Sequence, residues 1–245
     1  NQQLLDMWDV LFDFDVEEAS GASGNAGAHF TDDEFYSTRW ASNLQHQYDR
    51  DGNLLKQYSV GGVSGIRDLA YDGDYLYGGA AGDTIWGWDP IGETLESTIT
   101  GAFECRAIAH NNDDDTFFVS NWGDPVWEVN RDGDVLDTFN LALTTSTYGF
   151  AYDEWSDGGP YMWVYDQGGT GAIIYQWELA SGEFTDVEHD TTDDFGDVIA
   201  GGLFLCEDYE AGELLRGGLG QDNGAPDTMF VYDIDWPGGI HMMLV

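Results

Sequence analysis

The residues best suited to chemistry in this chain are its rare cations and the rings beside them. Asp and Glu number 47 against seven Lys and Arg, a formal net charge of −40. Three of those seven cations fall toward one face of a repeating pattern: Arg67 and Arg106 before the first strands of their units, and Arg39 with Trp40 in a turn after a second strand, as Trp122 is. A guanidinium offers a fork of donors to a carboxylate, and an indole offers a flat apolar face to a sugar ring. With Asp166 and Gln167 nearby in the pattern, the set predicts a surface for a sugar or a carboxylate-bearing group. The competing use is structural, with the arginines pairing to aspartates and the tryptophans filling gaps between elements.

The acidic residues suggest a second chemistry. The run Asp113, Asp114, Asp115 clusters carboxylates and is the best candidate for a Ca²⁺ site. The turns Asp-Arg-Asp-Gly-Asn at 49–53 and Asn-Arg-Asp-Gly-Asp at 130–134 begin like calcium loops. Their twelfth positions are Val60 and Leu141, where a bidentate Glu is needed, so tight hairpin turns with Gly at positive φ are expected instead. No pair of the five histidines has a metal-binding spacing. His29 and His110 fall in strands and read as packed, hydrogen-bonded side chains. No Gly-x-Ser-x-Gly elbow occurs. With acids everywhere, a carboxylate pair of the glycoside-hydrolase kind carries no signal of its own. No catalytic residue and no required cofactor is assigned.

A polyanion of this strength repels phosphate backbones and anionic membrane surfaces, so neither nucleic acid nor membrane insertion is expected. No apolar run approaches the ~18 residues of a membrane helix. A start at Asn1 fits a secreted chain whose leader has been removed.

These residues are positioned by a repeat. Ala28-His-Phe-Thr-Asp, Leu69-Ala-Tyr-Asp-Gly, Ile108-Ala-His-Asn-Asn and Phe150-Ala-Tyr-Asp-Glu start 41, 39 and 42 residues apart, and Leu203-Phe-Leu-Cys-Glu follows. Each opens a unit of four short strands with alternating, aromatic-rich character and glycine turns. Four strands per ~40 residues, repeated five times, predict an all-β, five-bladed β-propeller with four antiparallel strands per blade. The expected divisions are 25–60, 65–100, 105–141, 147–190 and 197–235. The fifth unit lacks a fourth strand, and the segment Trp8–Val16 is a spare one. Residues 1–18 are therefore expected to close the ring as the outer strand of the last blade, which removes open sheet edges. The alternative is that this strand, with Trp8, Leu11, Phe12 and Phe14, completes a neighbouring copy's blade.

The tail 236–245 is apolar, with Ile240, Met242, Met243, Leu244 and Val245. It either folds back or docks on another copy. In the propeller, Cys105 and Cys206 lie at opposite ends of inner strands, roughly 17 Å of strand apart, and are expected not to bond to each other.

The segments Ser37-Thr-Arg-Trp-Ala-Ser-Asn-Leu44, Gly65-Ile-Arg-Asp-Leu-Ala-Tyr-Asp-Gly73 and Tyr161-Met-Trp-Val-Tyr-Asp-Gln-Gly-Gly169 resemble a propeller domain of large secreted proteins from Bacteroidota-type bacteria. Those proteins often carry a C-terminal sorting tail for type IX secretion. The resemblance spans about Trp8 to Ile234 and implies an extracellular or cell-surface location, with no activity to carry over. The acidity departs from the usual members. The leading expectation is thus a non-enzymatic structural or adhesive propeller that assembles with copies of itself through its terminal segments. A carbohydrate-binding module acting on extracellular glycan, and a five-bladed glycoside hydrolase or lyase, are the alternatives.

Overall fold

The computed structural model describes residues 7–169, 171–206, 209 and 214–233. The chain opens with β1 (Val10–Asp15) and a single turn of helix, α1 (Val16–Ser20). The first blade is β2 (Asn25–Thr31), β3 (Glu34–Arg39), β4 (Gln45–Tyr48) and β5 (Leu54–Tyr58), and the second is β6 (Ala70–Tyr71), β7 (Leu76–Gly79), β8 (Gly82–Asp89) and β9 (Thr94–Cys105). The third is β10 (Ala107–Asn111), β11 (Thr116–Ser120), β12 (Val126–Val129) and β13 (Val135–Phe139), and the fourth is β14 (Thr147–Asp153), β15 (Tyr161–Asp166), β16 (Ile173–Glu178) and β17 (Glu183–Asp190). After a short α2 (Thr192–Phe195), the fifth holds β18 (Val198–Cys206), β19 (Leu215–Asp222) and β20 (Thr228–Asp233), with β1 as its outer strand. The fold is a five-bladed β-propeller.

Closure is intramolecular. β1 runs antiparallel to β20, with Asp13 opposite Phe230 and Asp15 opposite Thr228. The aromatic side chains of β1 then reach the first blade: Phe12 stacks on Phe35 at 5.8 Å, and Phe14 meets Phe35 and Tyr48 at 5.5 and 5.2 Å. Trp8 stacks on His189 at 4.6 Å and edges onto Trp163, while Leu11 packs on the core shared by blades five and one. Trp8, Leu11, Phe12 and Phe14 are therefore spent inside their own ring, as expected of a closing strand, which corrects the alternative that they dock on a neighbouring copy. The tail residues Ile240, Met242, Met243, Leu244 and Val245 lie outside the described residues.

The closing segment also differs locally from expectation. Its strand stops at Asp15, whose carboxylate accepts from the Glu18 N–H at 2.7 Å and caps α1. Gly21, at φ 68°, ends that turn in the left-handed region, where glycine meets no steric penalty.

Among the described residues the buried apolar side chains form five clusters, one at each junction between blades. Trp88 and Tyr36 share the junction of blades one and two, and Trp177 and Phe118 that of three and four. A blade thus has no core of its own, and each is stable only against its neighbours. The outermost strands β5 and β13 are largely exposed because only one neighbour covers them.

At the axis sits a residue with no counterpart among these cores. Asp68 is fully buried, and its two oxygens accept backbone N–H groups of Leu69 (2.9 Å), Ile108 (2.8 Å), Phe150 (2.9 Å) and Leu203 (3.1 Å). One carboxylate thereby joins blades two, three, four and five. Blade one is tied in by Thr38, whose hydroxyl accepts from the Gly27 N–H (3.1 Å) and donates to the Ile66 carbonyl (3.0 Å). Space at the axis is tight: a Cβ on Gly202 would lie 2.8 Å from Asp68 Oδ1 and 2.5 Å from the Ala28 nitrogen. Asp68→Ala leaves four buried N–H groups without an acceptor and is expected to cost about 3–5 kcal/mol. Asp68→Asn, which keeps one acceptor oxygen, is expected to lose less. Urea denaturation of the two variants measures both, and an Asp68→Ala protein as stable as the parent would remove the residue's role as hub.

Candidate functional site

The innermost strands β2, β6, β10, β14 and β18 line a central channel with two mouths. The upper mouth, where these strands begin, carries the cations. Arg67 precedes β6 and Arg106 precedes β10, while Trp40 follows β3 and Trp122 follows β11. The turns of antiparallel blades therefore bring together residues from three different units. The Arg67 guanidinium lies over Trp40 at 5.4 Å, and Arg106 lies over Trp122 at 4.5 Å and Tyr148 at 5.1 Å. Arg106 Nε donates to Asn121 Oδ1 at 2.9 Å, and Arg39 Nε donates to the Ser23 carbonyl at 2.8 Å. Trp40 and Trp122 keep 46% and 49% of their surface exposed, so each indole is free to meet a ligand. Trp122 also holds φ 50°, a left-handed conformation costly for a bulky residue.

A cavity of about 460 Å³ opens beside them, lined by Arg39, Trp40, Arg67, Tyr148, Asp222 and Asp227 among others, with Arg106 and Trp122 next to its wall at Tyr148 and not in the lining. Among the described residues no carboxylate lies within ion-pair distance of Arg39, Arg67 or Arg106. Burial, and then the neighbouring Arg67 charge, pull the Arg106 guanidinium down to about 10. It stays charged at neutral pH, beside a second cation rather than an anion.

Two residues expected at this site serve the backbone instead. Asp166 is buried and accepts from the Thr145 and Ser146 N–H groups at 3.1 and 2.8 Å, with burial raising its carboxyl. Gln167 accepts from the Ala200 N–H at 2.7 Å and ties blade four to blade five. Tyr148, conversely, was not singled out from the sequence. Its signal was available, since it stands two residues before Phe150 as Arg67 and Arg106 stand two before Leu69 and Ile108.

The expected calcium cluster does not converge. Asp113 accepts from the Tyr152 hydroxyl at 2.6 Å, and Asp115 faces Arg131 and His110. The Arg131 hydrogen bonds draw the Asp115 carboxyl down to about 2. No group of three or more His, Cys, Asp or Glu is placed to hold a metal among the described residues. The cause is local geometry: Asp115, at φ 56°, turns the chain, so neighbours in sequence diverge. The two Gly turns are hairpins, with Asp49 and Asn130 each accepting two backbone N–H groups from within its own turn. Arg50 and Arg131, equivalent in those turns, reach back to Asp33 and Asp115 respectively. No disulfide joins Cys105 to Cys206.

The lower mouth holds a second cavity, of about 280 Å³, to which all five inner strands contribute. His29, Tyr71, His110, Tyr152, Trp155 and Phe204 are among its walls. His110 is hydrogen-bonded to Asn112 (2.7 Å) and Asp115 (3.1 Å), whereas His29 Nδ1 is buried with no hydrogen-bond partner. His29 thus departs from the expected hydrogen-bonded packing. It sits 5.8 Å from the Tyr71 and Phe204 rings.

Fold and site together define a β-propeller with a cavity at each end of its channel. The chain is similar to the glutaminyl cyclase of Myxococcus xanthus, with a TM-score of 0.69 over 92% of this chain and 96% of that one, at 13% identity. It is also similar to the hydrazine synthase of Kuenenia stuttgartiensis, with a TM-score of 0.50 over 92% of this chain and 61% of that one, at 12% identity. At such identities the likeness is one of fold. No family model and no curated protein matches the sequence.

Burial lowers the His29 imidazole from its ordinary value to about 3. Unfolded chains bind a proton near pH 6.5 that the folded protein refuses, so stability is expected to fall as pH drops from about 6.5 toward 3. His29→Gln is expected to flatten that part of the stability–pH curve relative to the parent. Parallel curves from denaturation at several pH values would show that His29 does not titrate in this way.

Proposed function

We propose that this chain is an extracellular, non-catalytic binding propeller whose upper mouth takes a carboxylate-bearing carbohydrate. One observation carries the reading. In a chain of 47 acidic residues, Arg39, Arg67 and Arg106 share a mouth and have no carboxylate at ion-pair distance among the described residues. Arg50, Lys56 and Arg131, by contrast, are each paired with an acid. A uronic acid would supply the missing carboxylate to a guanidinium and a ring face to Trp40 or Trp122. The distant charges of the polyanion repel such a ligand, but screening over ~8–10 Å at physiological salt leaves the adjacent guanidiniums dominant.

Extracellular location and a place in a sorted, secreted protein rest on the sequence resemblance and belong to this proposal. The likeness to a glutaminyl cyclase raises an enzymatic alternative on the same ring. The acids that reach the upper cavity favour binding over catalysis. Asp227 accepts from the Asn25 N–H, the Asn25 amide and the Asp222 N–H at 2.8, 3.0 and 2.8 Å, and Asp222 accepts from the Gly224 N–H at 2.9 Å. Asp227 serves the seam between blades five and one, and Asp222 its own turn. Self-assembly through β1 loses its support because that strand is used internally.

Calorimetric titration with oligogalacturonate, and with a neutral oligosaccharide of the same length, tests the reading. Saturable binding of the acidic sugar alone is expected, weakened roughly three- to tenfold by Trp40→Ala or Trp122→Ala and more by Arg106→Ala. Equal binding of the neutral sugar, or an affinity indifferent to all three substitutions, would overturn it.

A further inference from the structure

We propose that the lower mouth of the channel is a second, independent binding site, selective for an organic ammonium ion. The walls of its cavity are aromatic: Tyr71 from β6, Tyr152 from β14, Trp155 from the turn that follows, and Phe204 from β18. A ring that turns a face to a cation attracts it, and a cation with an apolar body gains both that attraction and the removal of its methyl groups from water. No lysine or arginine lines the cavity.

The carboxylates around it are held in place. The Tyr71 hydroxyl donates to the Gly73 carbonyl at 2.8 Å and lies 3.5 Å from Asp32. Asp113 takes the Tyr152 hydroxyl, and Glu154 takes the Asn112 amide at 3.1 Å. Asp72 forms part of the wall itself. Arg131 is the cation behind it, and its charge is divided between Asp72 at 2.9 Å and Asp115. That leaves Asp32, Asp74, Asp113, Asp114 and Glu154 without a cation at ion-pair distance among the described residues. The two tyrosines register this field: their hydroxyls are held above the ordinary range by burial first and then by these acids. His29 adds no opposing charge, since its imidazole is neutral at physiological pH.

The two mouths thus have opposite character. Cations without an ion-pair partner gather at one, and rings with acids at the other, with the Asp68 hub between them. Metal ions are poorly served by the lower site, because its carboxylates are dispersed around the rim and do not form a metal-holding group. A diffuse organic cation needs the field and the ring faces but no coordination shell.

Choline chloride is the probe. Calorimetry is expected to show saturable binding of choline, much weaker binding of its uncharged carbon analogue 3,3-dimethylbutan-1-ol, and none of sodium at the same ionic strength. Trp155 is 40% exposed, so Trp155→Ala should leave the fold intact by circular dichroism while weakening choline at least about threefold. Glu154→Gln, which removes charge and keeps shape, is expected to weaken choline but not the neutral analogue. Absence of saturable choline binding, equal binding of the two probes, or an affinity unchanged in both variants would overturn the assignment.

Discussion

The ring depends on a single carboxylate at its axis. Inner strands present one edge to the channel, and backbone N–H groups on that edge have no strand to pair with. Asp68 collects four of them, from blades two to five. Burial pushes its carboxyl well above the usual range, and the four donors pull against that shift. The equivalent residues of the other units, one before the start of each first-strand motif, are Gly27, Ala107, Gly149 and Gly202. The axis has room for one functional side chain, and the remaining blades supply almost nothing there. A fivefold repeat thus needs an asymmetric residue at its centre.

The same asymmetry shapes the two ends of the channel. Two residues before each first-strand motif, the units carry Ala26, Arg67, Arg106, Tyr148 and Gly201. The large members stand on consecutive blades and make one side of the upper mouth, while the small ones open the other side toward the seam closed by β1. Cations are so scarce in this chain that their placement is informative. Arg50 and Arg131 repeat one role, clamping a hairpin, and Lys56 pairs with Glu93 between blades one and two. Arg216 is fully buried and stacked between Trp8 and Trp163, at 4.4 and 3.2 Å, where it joins the closing segment to blade four.

The architecture was legible because it is written in periodic features. Spacing near 40 residues, aromatic-rich strands and glycine turns require no knowledge of distant contacts, and the missing fourth strand of the last unit pointed to the N-terminus. The candidate site was legible only in part. Arg67, Arg106, Trp40 and Trp122 meet because propeller geometry brings defined turns to one mouth. Asp166 and Gln167 occupy the same turns, but the sequence does not say whether a polar side chain will face outward or satisfy a nearby N–H. The Asp113–Asp115 run misled for a related reason: adjacency in sequence is not convergence in space when one member takes a left-handed turn. Asp68 was hidden among 47 acids, and only alignment with the glycines and alanine of the other units marks it. Local boundaries were also missed where capping decides them, as at Asp15 and α1.

Closure by β1 has a mechanical consequence. Val10 lies opposite Tyr232, and Trp8 N–H bonds to the Asp233 carbonyl at 3.0 Å, so the outer end of the first strand and the outer end of the last are neighbours. A pull applied through residues 8 and 233 in opposite directions would load the bonds of that pair one after another, as a zip opens, rather than all together in shear. Tension transmitted through both ends of the ring is therefore met first at the weakest orientation the fold possesses. The closing blade would serve as a fuse that yields while the other four sheets are still unstrained.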